Sequence, residues 1–223
     1  MTVALTAEQF EAIRAIDSPT IANAIEPFNV RPHASGYVGH DIRCLIPGLG
    51  TMLGYAVTCT ADSRTEWRRR EDSSFLDLCR AVQAAPKPAV VVIQDVGQDR
   101  DRSCHVGEVM ATTFKRLGAA GVVTDGGLRD IVEVRELGDF HYYGAGLVVA
   151  HGRPMILDVN VEVTISGMPV TPGALLHGDE NGIVHIPDEI ADQVVAEADR
   201  IREYEAERLR VVNSPDFTLE SYR

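Results

Sequence analysis

Apolar residues near the amino terminus recur at helical spacing. Thr6 is a suitable N-cap, and the apolar positions that follow it predict a first helix to about Ile16. Asp17-Ser18-Pro19 then predicts a break and a second helix towards Glu26, with proline in its first turn. Residues 31–54 are rich in Gly and Pro without a clear period, so we expect irregular structure with one short strand near the middle.

Beyond this region, runs typical of strands alternate with runs typical of helices. The predicted elements, in chain order, are a strand at Gly54–Thr60, a helix at Ser73–Ala84, a strand at Ala89–Asp95, a helix at Gly107–Leu117, a strand at Gly121–Thr124, a helix at Asp130–Leu137 and a strand at Leu147–Val149. This β–α rhythm predicts a largely parallel α/β core.

The last third of the chain has a different pattern. Three short β runs, separated by turns, are predicted at Val161–Ile165, Met168–Val170 and Gly182–Ile186. From Asp188 to about Val212 the chain is rich in Ala, Glu and Arg, which predicts a long helix. This helix and the first two lie at the ends of the chain, where they are able to pack on a neighbouring subunit.

Composition narrows the class of protein. The 223 residues fit a single domain over 1–223, and 45% hydrophobic content is enough for a full core. A net charge of −12 argues against nucleic-acid and membrane partners, and the run Arg68-Arg69-Arg70, followed by two acids, indicates a solvated loop. Four scattered cysteines, no evident signal peptide and no long apolar run predict a cytoplasmic protein.

The segment from Val106 to Glu133 combines the residues best suited to chemistry. A buried strand leads into Asp125-Gly126-Gly127, and Arg129 and Asp130 follow where the next helix begins. Ligands of α/β sheets bind beyond the carboxyl ends of strands, glycines allow a close backbone approach, and a helix start favours an anion.

Arginine beside aspartate at such a position suits a metal-assisted reaction of an acid. Arg129 is able to bind a carboxylate or enolate oxygen through its fork of N–H groups, and Asp130 is a hard oxygen ligand for Mg²⁺ or Mn²⁺. Glu108 begins the preceding helix at the same edge of the sheet, so it is expected near Arg129. Glu133 follows Asp130 by three residues and shares its helix face. His105 lies near Glu108 and is a possible substrate contact.

These residues carry a resemblance to a known family. The pattern Glu108-x20-Arg129-Asp130-x2-Glu133, within GEVMAT…GAAGVVTDGGLRD, resembles the class II 4-hydroxy-4-methyl-2-oxoglutarate aldolases, of the same superfamily as the regulator of ribonuclease activity A (RraA-like). The segment VTPGALLHGDENGIVHIP at 170–187 and the early helix at 18–26 are also similar to that family.

The resemblance implies an α/β fold, namely an αββα sandwich of the swivelling β/β/α type. The N- and C-terminal helices are then expected to pack on the core or on neighbouring subunits. It further implies a homotrimer or hexamer with the site at the subunit interface, and Mg²⁺ or Mn²⁺ as cofactor.

The resemblance also implies roles for individual residues. Arg129 would hold the pyruvyl group, Asp130 would bind the metal directly, and Glu108, where the family often has Asp, would orient a water with Arg129. Backbone N–H groups of Gly107, Glu108, Val109 and Met110 would bind the substrate carboxylate. Glu205 of a neighbouring subunit, or its rival Glu203, would hold a metal-bound water.

The implied function is carbon–carbon lyase chemistry on a 2-oxo acid. Cleavage of a 4-hydroxy-2-oxo acid to pyruvate, and decarboxylation of oxaloacetate as a side activity, both develop enolate charge that a metal and Arg129 stabilise. The only lysines, Lys87 and Lys115, lie in a loop and in mid-helix, which disfavours a Schiff-base mechanism. The alternative is a non-catalytic protein-binding regulator of the ribonuclease-inhibitor type, which lacks the Arg–Asp pair.

Overall fold

The computed structural model describes residues 5–62, 73–153 and 155–222. Its helices are α1 Ala7–Arg14, α2 Ser18–Ile25, α3 Phe75–Ala84, α4 Glu108–Arg116, α5 Ile131–Glu136 and α6 Val194–Val212. Its strands are β1 Arg43–Cys44, β2 Met52–Asp62, β3 Ala89–Asp95, β4 Cys104–Val106, β5 Ala119–Thr124, β6 Gly127–Leu128, β7 His141–Gly144, β8 Gly146–Leu147, β9 Met155–Val159, β10 Val163–Ile165, β11 Met168–Val170, β12 Leu175–Asp179 and β13 Gly182–Ile186. The Arg68–Arg70 run lies outside the described residues.

The main sheet has the strand order β1-β7-β5-β3-β2-β12-β13, and β9 pairs with the second half of β2. Strands β2, β3, β5 and β7 are mutually parallel, which confirms the predicted parallel core, whereas β1, β9, β12 and β13 are antiparallel to their neighbours. The long strand β2 pairs with β3 along one edge, and along the other edge with β12 through its first residues and with β9 through its last. The sheet as a whole is nearly closed.

Both faces of the curled sheet are buried. On β3, Val91 and Ile93 join the cluster that packs under α3, α4 and α5, whereas Val90 and Val92 join the cluster under the β10–β11 hairpin. A strand buried on both sides needs apolar residues at successive positions, which explains the continuous run AVVVI.

The terminal helices form a third cluster. Thr6 caps α1 with a capping box, and Asp17 caps α2 through the Thr20 N–H, as the sequence predicts. Helix α6 packs on α1 and α2, and their apolar faces cover one end of β2, β12 and β13. The terminal helices therefore pack on the core of their own chain.

The last helix and part of the main sheet differ from the expectations. The last helix begins at Val194 rather than Asp188, because Asp188–Ile190 forms a 3₁₀ turn that buries Ile190 and Ala191 before the α-helix starts. Strands β7, β9 and β12 of the main sheet lie in segments for which the sequence predicts no element, and β12 pairs with both β2 and β13. No helix in the described ranges is long and apolar enough to cross a membrane. The single-domain organisation stays a prediction.

Stability is expected to fall when the pH drops from 7.5 to 5.0, in part through His141. This ring is buried and stacks on Tyr143, with centroids 6.4 Å apart, and burial, helped by the charge of Arg14, lowers its pKa to about 4. Between that value and the ordinary 6.5, the unfolded chain binds a proton that the folded chain excludes, so stability is lost as the pH falls. Urea unfolding of wild type and His141→Phe should differ in pH dependence by about 2 kcal/mol over this range. An equal pH dependence of the two proteins would refute the assignment.

Candidate functional site at the carboxyl edge of the sheet

A small parallel sheet of strands β4, β6 and β8 leads into the residues that the sequence predicts to be functional. Cys104 pairs with Gly127 and Val106 with Leu128, and the Arg129 N–H donates to the Val106 carbonyl at 3.1 Å. This pairing aligns the ends of β4 and β6. It thereby brings Gly107 and Glu108, at the start of α4, beside Arg129 and Asp130, at the start of α5.

Asp130 connects the two helix starts. Its Oδ2 accepts a hydrogen bond from the Glu108 N–H at 2.9 Å and so caps α4. The backbone of Asp130 is left-handed, with φ 57° and ψ 45°, a conformation that costs about 1 kcal/mol in a non-glycine residue and that Asp and Asn tolerate best. The fold therefore holds this carboxylate in a conformation that its local sequence does not favour, which is common at functional positions.

Gly107 provides the space that this arrangement needs. Its backbone is extended, with φ −124° and ψ −168°, so the conformation itself does not require glycine. A Cβ at this position, however, would lie 2.4 Å from Oδ2 of Asp130 and 2.8 Å from Nε of Arg129. The missing side chain of Gly107 is thus a condition for the Arg129–Asp130 geometry.

We expect Gly107→Ala to damage the site while leaving the fold intact. The added methyl group must displace the Asp130 carboxylate or the Arg129 side chain, since the neighbouring backbone is held in the small sheet. With Asp130 in its predicted role as metal ligand, the expected result is a loss of Mn²⁺ affinity by about 10-fold or more, of the size seen when groups that orient metal ligands are changed. The matched control is Gly146→Ala, in β8 of the same sheet, where a Cβ meets no atom within 4 Å. Equal affinities of the two variants would contradict the role given to Gly107.

Arg129 presents an unsatisfied donor at this point. Its Nε lies 3.5 Å from Oδ2 of Asp130, and each side chain is 33% exposed. Among the residues that the structure describes, this Nε is the one buried side-chain nitrogen or oxygen atom without a hydrogen-bond partner. A buried donor without an acceptor is unfavourable and indicates a place for a ligand atom.

Buried groups behind the pair hold its backbone. The hydroxyl of Tyr142 lies 2.8 Å from the Val106 carbonyl oxygen and 3.2 Å from that of Arg129, and burial raises the pKa of this phenol far above its usual range. Burial also raises the pKa of the Cys104 thiol to about 11, so the sulfur stays protonated and unreactive at neutral pH. Tyr142 is not among the predicted site residues, because it lies in β7, a segment with no motif and no predicted element.

Several of the other predicted residues lie on the first turns of α4 and α5. The side chains of Glu108 and Glu133 are exposed on the first turns of α4 and α5, and Val109 is 79% exposed. Helix α5 has only six residues, so the nine-residue helix α4 is the stronger source of a helix-end field for an anion. The Glu108 N–H already donates to Asp130, whereas the N–H groups of Val109 and Met110 have no acceptor within their own helix.

Within the described residues of this chain, the structure records no contact of His105 or Glu205 with Arg129 or Asp130. His105 is buried, and its Nε2 lies 2.8 Å from Oδ2 of Asp95, so a substrate contact would require the ring to leave that partner. Glu205 and Glu203 are exposed on α6, which packs on α1 and α2. The roles of all these residues stay predictions.

The donor set fits one kind of metal ion. In the described part of the chain, no three His, Cys, Asp or Glu side chains cluster as metal ligands, so Asp130 is not part of a preformed cage of protein ligands. A single carboxylate completed by substrate oxygens and water suits Mg²⁺ or Mn²⁺ and does not suit structural zinc, which takes four protein ligands. The chemistry of Asp130 therefore fits Mg²⁺ or Mn²⁺, the predicted cofactors.

The nearly closed sheet and its flanking helices place the protein in the α/β class, and its sequence identifies the family. A family model described as RraA-like: Aldolase/RraA matches residues 11–185, so the chain belongs to the RraA-like family. The crystal structure of RraAS2 from Streptomyces coelicolor, an unusual member of the RNase ES inhibitor RraA protein family, covers 91% of this chain and 96% of its own, with a TM-score of 0.72 and 24% identity. At this identity the likeness shows the fold alone, and it confirms the predicted sandwich.

Relatives with sequence similarity include proteins of unlike length. Protein DlpA of Legionella pneumophila is 27% identical over 159 residues, which are 70% of this chain and 25% of DlpA. A protein of Halalkalibacterium halodurans, provisionally named 4-hydroxy-4-methyl-2-oxoglutarate aldolase, is 29% identical over 136 residues, or 60% of this chain and 64% of that protein. The chain thus spans less than two thirds of the length of these relatives.

Proposed function

We propose that this protein is a divalent-metal-dependent carbon–carbon lyase that cleaves 4-hydroxy-2-oxo acids to pyruvate and a second carbonyl product, with oxaloacetate decarboxylation as a side activity. The observation that carries the proposal is the Arg129–Asp130 ion pair, held at the carboxyl edge of the sheet, in which the buried Nε of Arg129 makes no hydrogen bond. Regulators of the ribonuclease-inhibitor type lack this pair.

Substrate binding follows from the charges and donors at this edge. The planar fork of Arg129 matches a carboxylate or the oxygen of a 2-oxo group, and the free N–H groups in the first turn of α4 suit a second anionic oxygen. Asp130 would hold the Mg²⁺ or Mn²⁺ ion, which supplies Lewis-acid stabilisation of the enolate when bound. The two sets of donors converge because Gly107 keeps α4 close to the pair.

The cleavage step needs a group that helps to accept a proton. The 4-hydroxyl must lose its proton as the carbon–carbon bond breaks, and Glu108 is the carboxylate at the start of α4 that would orient and polarise a water for this purpose, together with Arg129. Because Glu108 is exposed, its side chain is free to turn towards a bound substrate. A covalent route through lysine has little support, because both lysines are engaged elsewhere. Lys87 donates a hydrogen bond to the Val82 carbonyl, and Lys115 donates one to the Leu137 carbonyl and forms an ion pair with Asp139.

A second subunit would complete the site in this proposal. Apolar side chains at the starts of α4 and α5 and at the end of β8 are exposed, namely Val109, Val132, Leu147 and Val149, and exposed apolar side chains are typical of a surface that another protein covers. A homotrimer or hexamer would bury them and would bring Glu205, or Glu203, of a neighbouring chain to a metal-bound water. Sedimentation of wild type and a Val109→Glu variant measures whether this surface joins subunits.

The experiment that tests the function is a panel of 4-hydroxy-2-oxo acids with coupled detection of pyruvate. Candidates are 4-hydroxy-4-methyl-2-oxoglutarate and 4-carboxy-4-hydroxy-2-oxoadipate, with oxaloacetate as a further substrate. We expect release that EDTA abolishes and that Mg²⁺ or Mn²⁺ restores. Release that survives chelation would refute metal dependence. Absence of release from every acid, with capture of a ribonuclease, would favour the regulator instead.

A further inference from the structure

A buried charged network lies beside the small sheet, outside the proposed site. The Asp95 carboxylate ends β3, and its Oδ2 lies 2.8 Å from Nε2 of His105, with both side chains fully buried. Its other oxygen accepts the Gly97 N–H at 2.6 Å. Burial raises the pKa of the Asp95 carboxyl, but its hydrogen bonds with His105, the Gly97 N–H and Ser103 outweigh burial and lower that pKa below its ordinary value. The pair is therefore a fixed contact between the end of β3 and the middle of β4.

Asp125 extends the network to the end of β5. Its Oδ1 accepts the Asp95 N–H at 2.7 Å, and its Oδ2 lies 3.1 Å from Nη1 of Arg100. A Cβ on Gly126 would lie 2.6 Å from Cδ2 of His105, so the ring packs directly on the turn that leads to β6. The network thus contacts β4, which leads to Glu108, and the turn before β6, the strand that leads to Asp130.

The position of His105 in β4 connects this network to the chemistry. Residues on either side, Cys104 and Val106, form the register with β6, and the Val106 carbonyl accepts the Arg129 N–H. Strand β4 has only three residues, so its own ladder fixes it weakly. A buried charge-assisted hydrogen bond from its central residue to the main sheet restrains its height and tilt.

We propose that Asp95 and His105 are a positioning pair, which holds β4 so that the Glu108 N–H meets Asp130 and the Val106 carbonyl meets Arg129. The pair touches neither substrate nor metal, and it acts through the backbone of residues 106–108. Its effect on turnover rests on the proposed function, whereas its effect on the local backbone does not.

The experiment compares three variants by hydrogen exchange resolved to single amides and by steady-state kinetics. His105→Leu removes the donor at similar volume, and His105→Gln restores a donor to Asp95. His177→Leu is the matched control, because His177 is another buried histidine, bonded to Ser18 and to the Ile16 carbonyl on the terminal-helix side of the sheet.

We expect His105→Leu to speed exchange of the Glu108 and Arg129 amides by about 10-fold, while the amides of β3 exchange as in wild type. It should lower kcat by about 10²-fold with little change in KM, because misplaced reacting groups slow the chemical step. His105→Gln should recover a large part of both. His177→Leu should reduce stability without either effect.

Unchanged exchange of the Glu108 and Arg129 amides in His105→Leu would overturn the proposal, as would an equal kcat loss in His177→Leu. If His105→Leu does not fold, Asp95→Asn replaces it, and wild-type exchange at these two amides would again contradict the proposal. If wild type releases no pyruvate, the proposed function fails, and the exchange data still decide on the positioning pair.

Discussion

Replacement of Asp130 by Asn is expected to abolish metal-dependent pyruvate release while the protein stays folded. Asn tolerates the left-handed backbone at this position and is able to accept the Glu108 N–H through its amide oxygen, so the cap of α4 survives. The negative charge that would bind the metal is lost. Asp130→Ala should also abolish release, but it removes the cap as well and is the less specific change.

The measurement pairs a metal titration with the pyruvate assay. Mn²⁺ affinity should fall together with activity in Asp130→Asn and remain at the wild-type value in Glu136→Gln, a control at an exposed carboxylate on the same helix. Full activity in Asp130→Asn would remove the carboxylate from the mechanism.

The second large effect is expected at Arg129. Arg129→Lys keeps a positive charge but loses the planar fork, so turnover should fall by about 10²–10³-fold, the usual loss for a preorganised donor at developing negative charge. Arg129→Met removes the charge too and should lower activity further. Metal affinity without substrate should change little in either variant, because Asp130 remains.

Steady-state kinetics and Mn²⁺ binding distinguish this role from a structural one. Arg135→Lys, on the exposed part of α5, is the matched control and should keep wild-type kinetics. A loss of metal affinity in Arg129→Lys as large as the loss of turnover would mean that Arg129 only supports Asp130.

The parts of the fold that depend on continuous apolar runs could be predicted from the sequence. Strand β3 coincides with AVVVIQD because both of its faces are buried, and α1 and α2 begin at side chains that cap them. Strands β4 and β6 could not be predicted, because two or three residues have no period, and the strand predicted at Leu147–Val149 overlaps β8 only at Leu147. Their pairing depends on tertiary contacts. Helix α6 was placed six residues too early, because the segment before it is equally rich in helix formers.

The site was partly accessible from sequence. The residues Glu108, Arg129 and Asp130 were found from a strand, a glycine turn and two helix starts, and the structure brings Arg129 and Asp130 to the Glu108 backbone. What the sequence could not reveal is how the pair is held. The left-handed conformation of Asp130, the close approach of Asp130 to Gly107 and the hydrogen bonds of the Tyr142 hydroxyl depend on distances between segments far apart in the chain.

The most direct test of the central claim is a crystal structure of the protein with Mn²⁺ and oxalate, a planar mimic of the pyruvate enolate. We predict an ion bound by the Asp130 carboxylate, with the Arg129 guanidinium donating to oxalate beside the first turn of α4. An oxalate–Mn²⁺ complex that neither side chain faces would contradict the account.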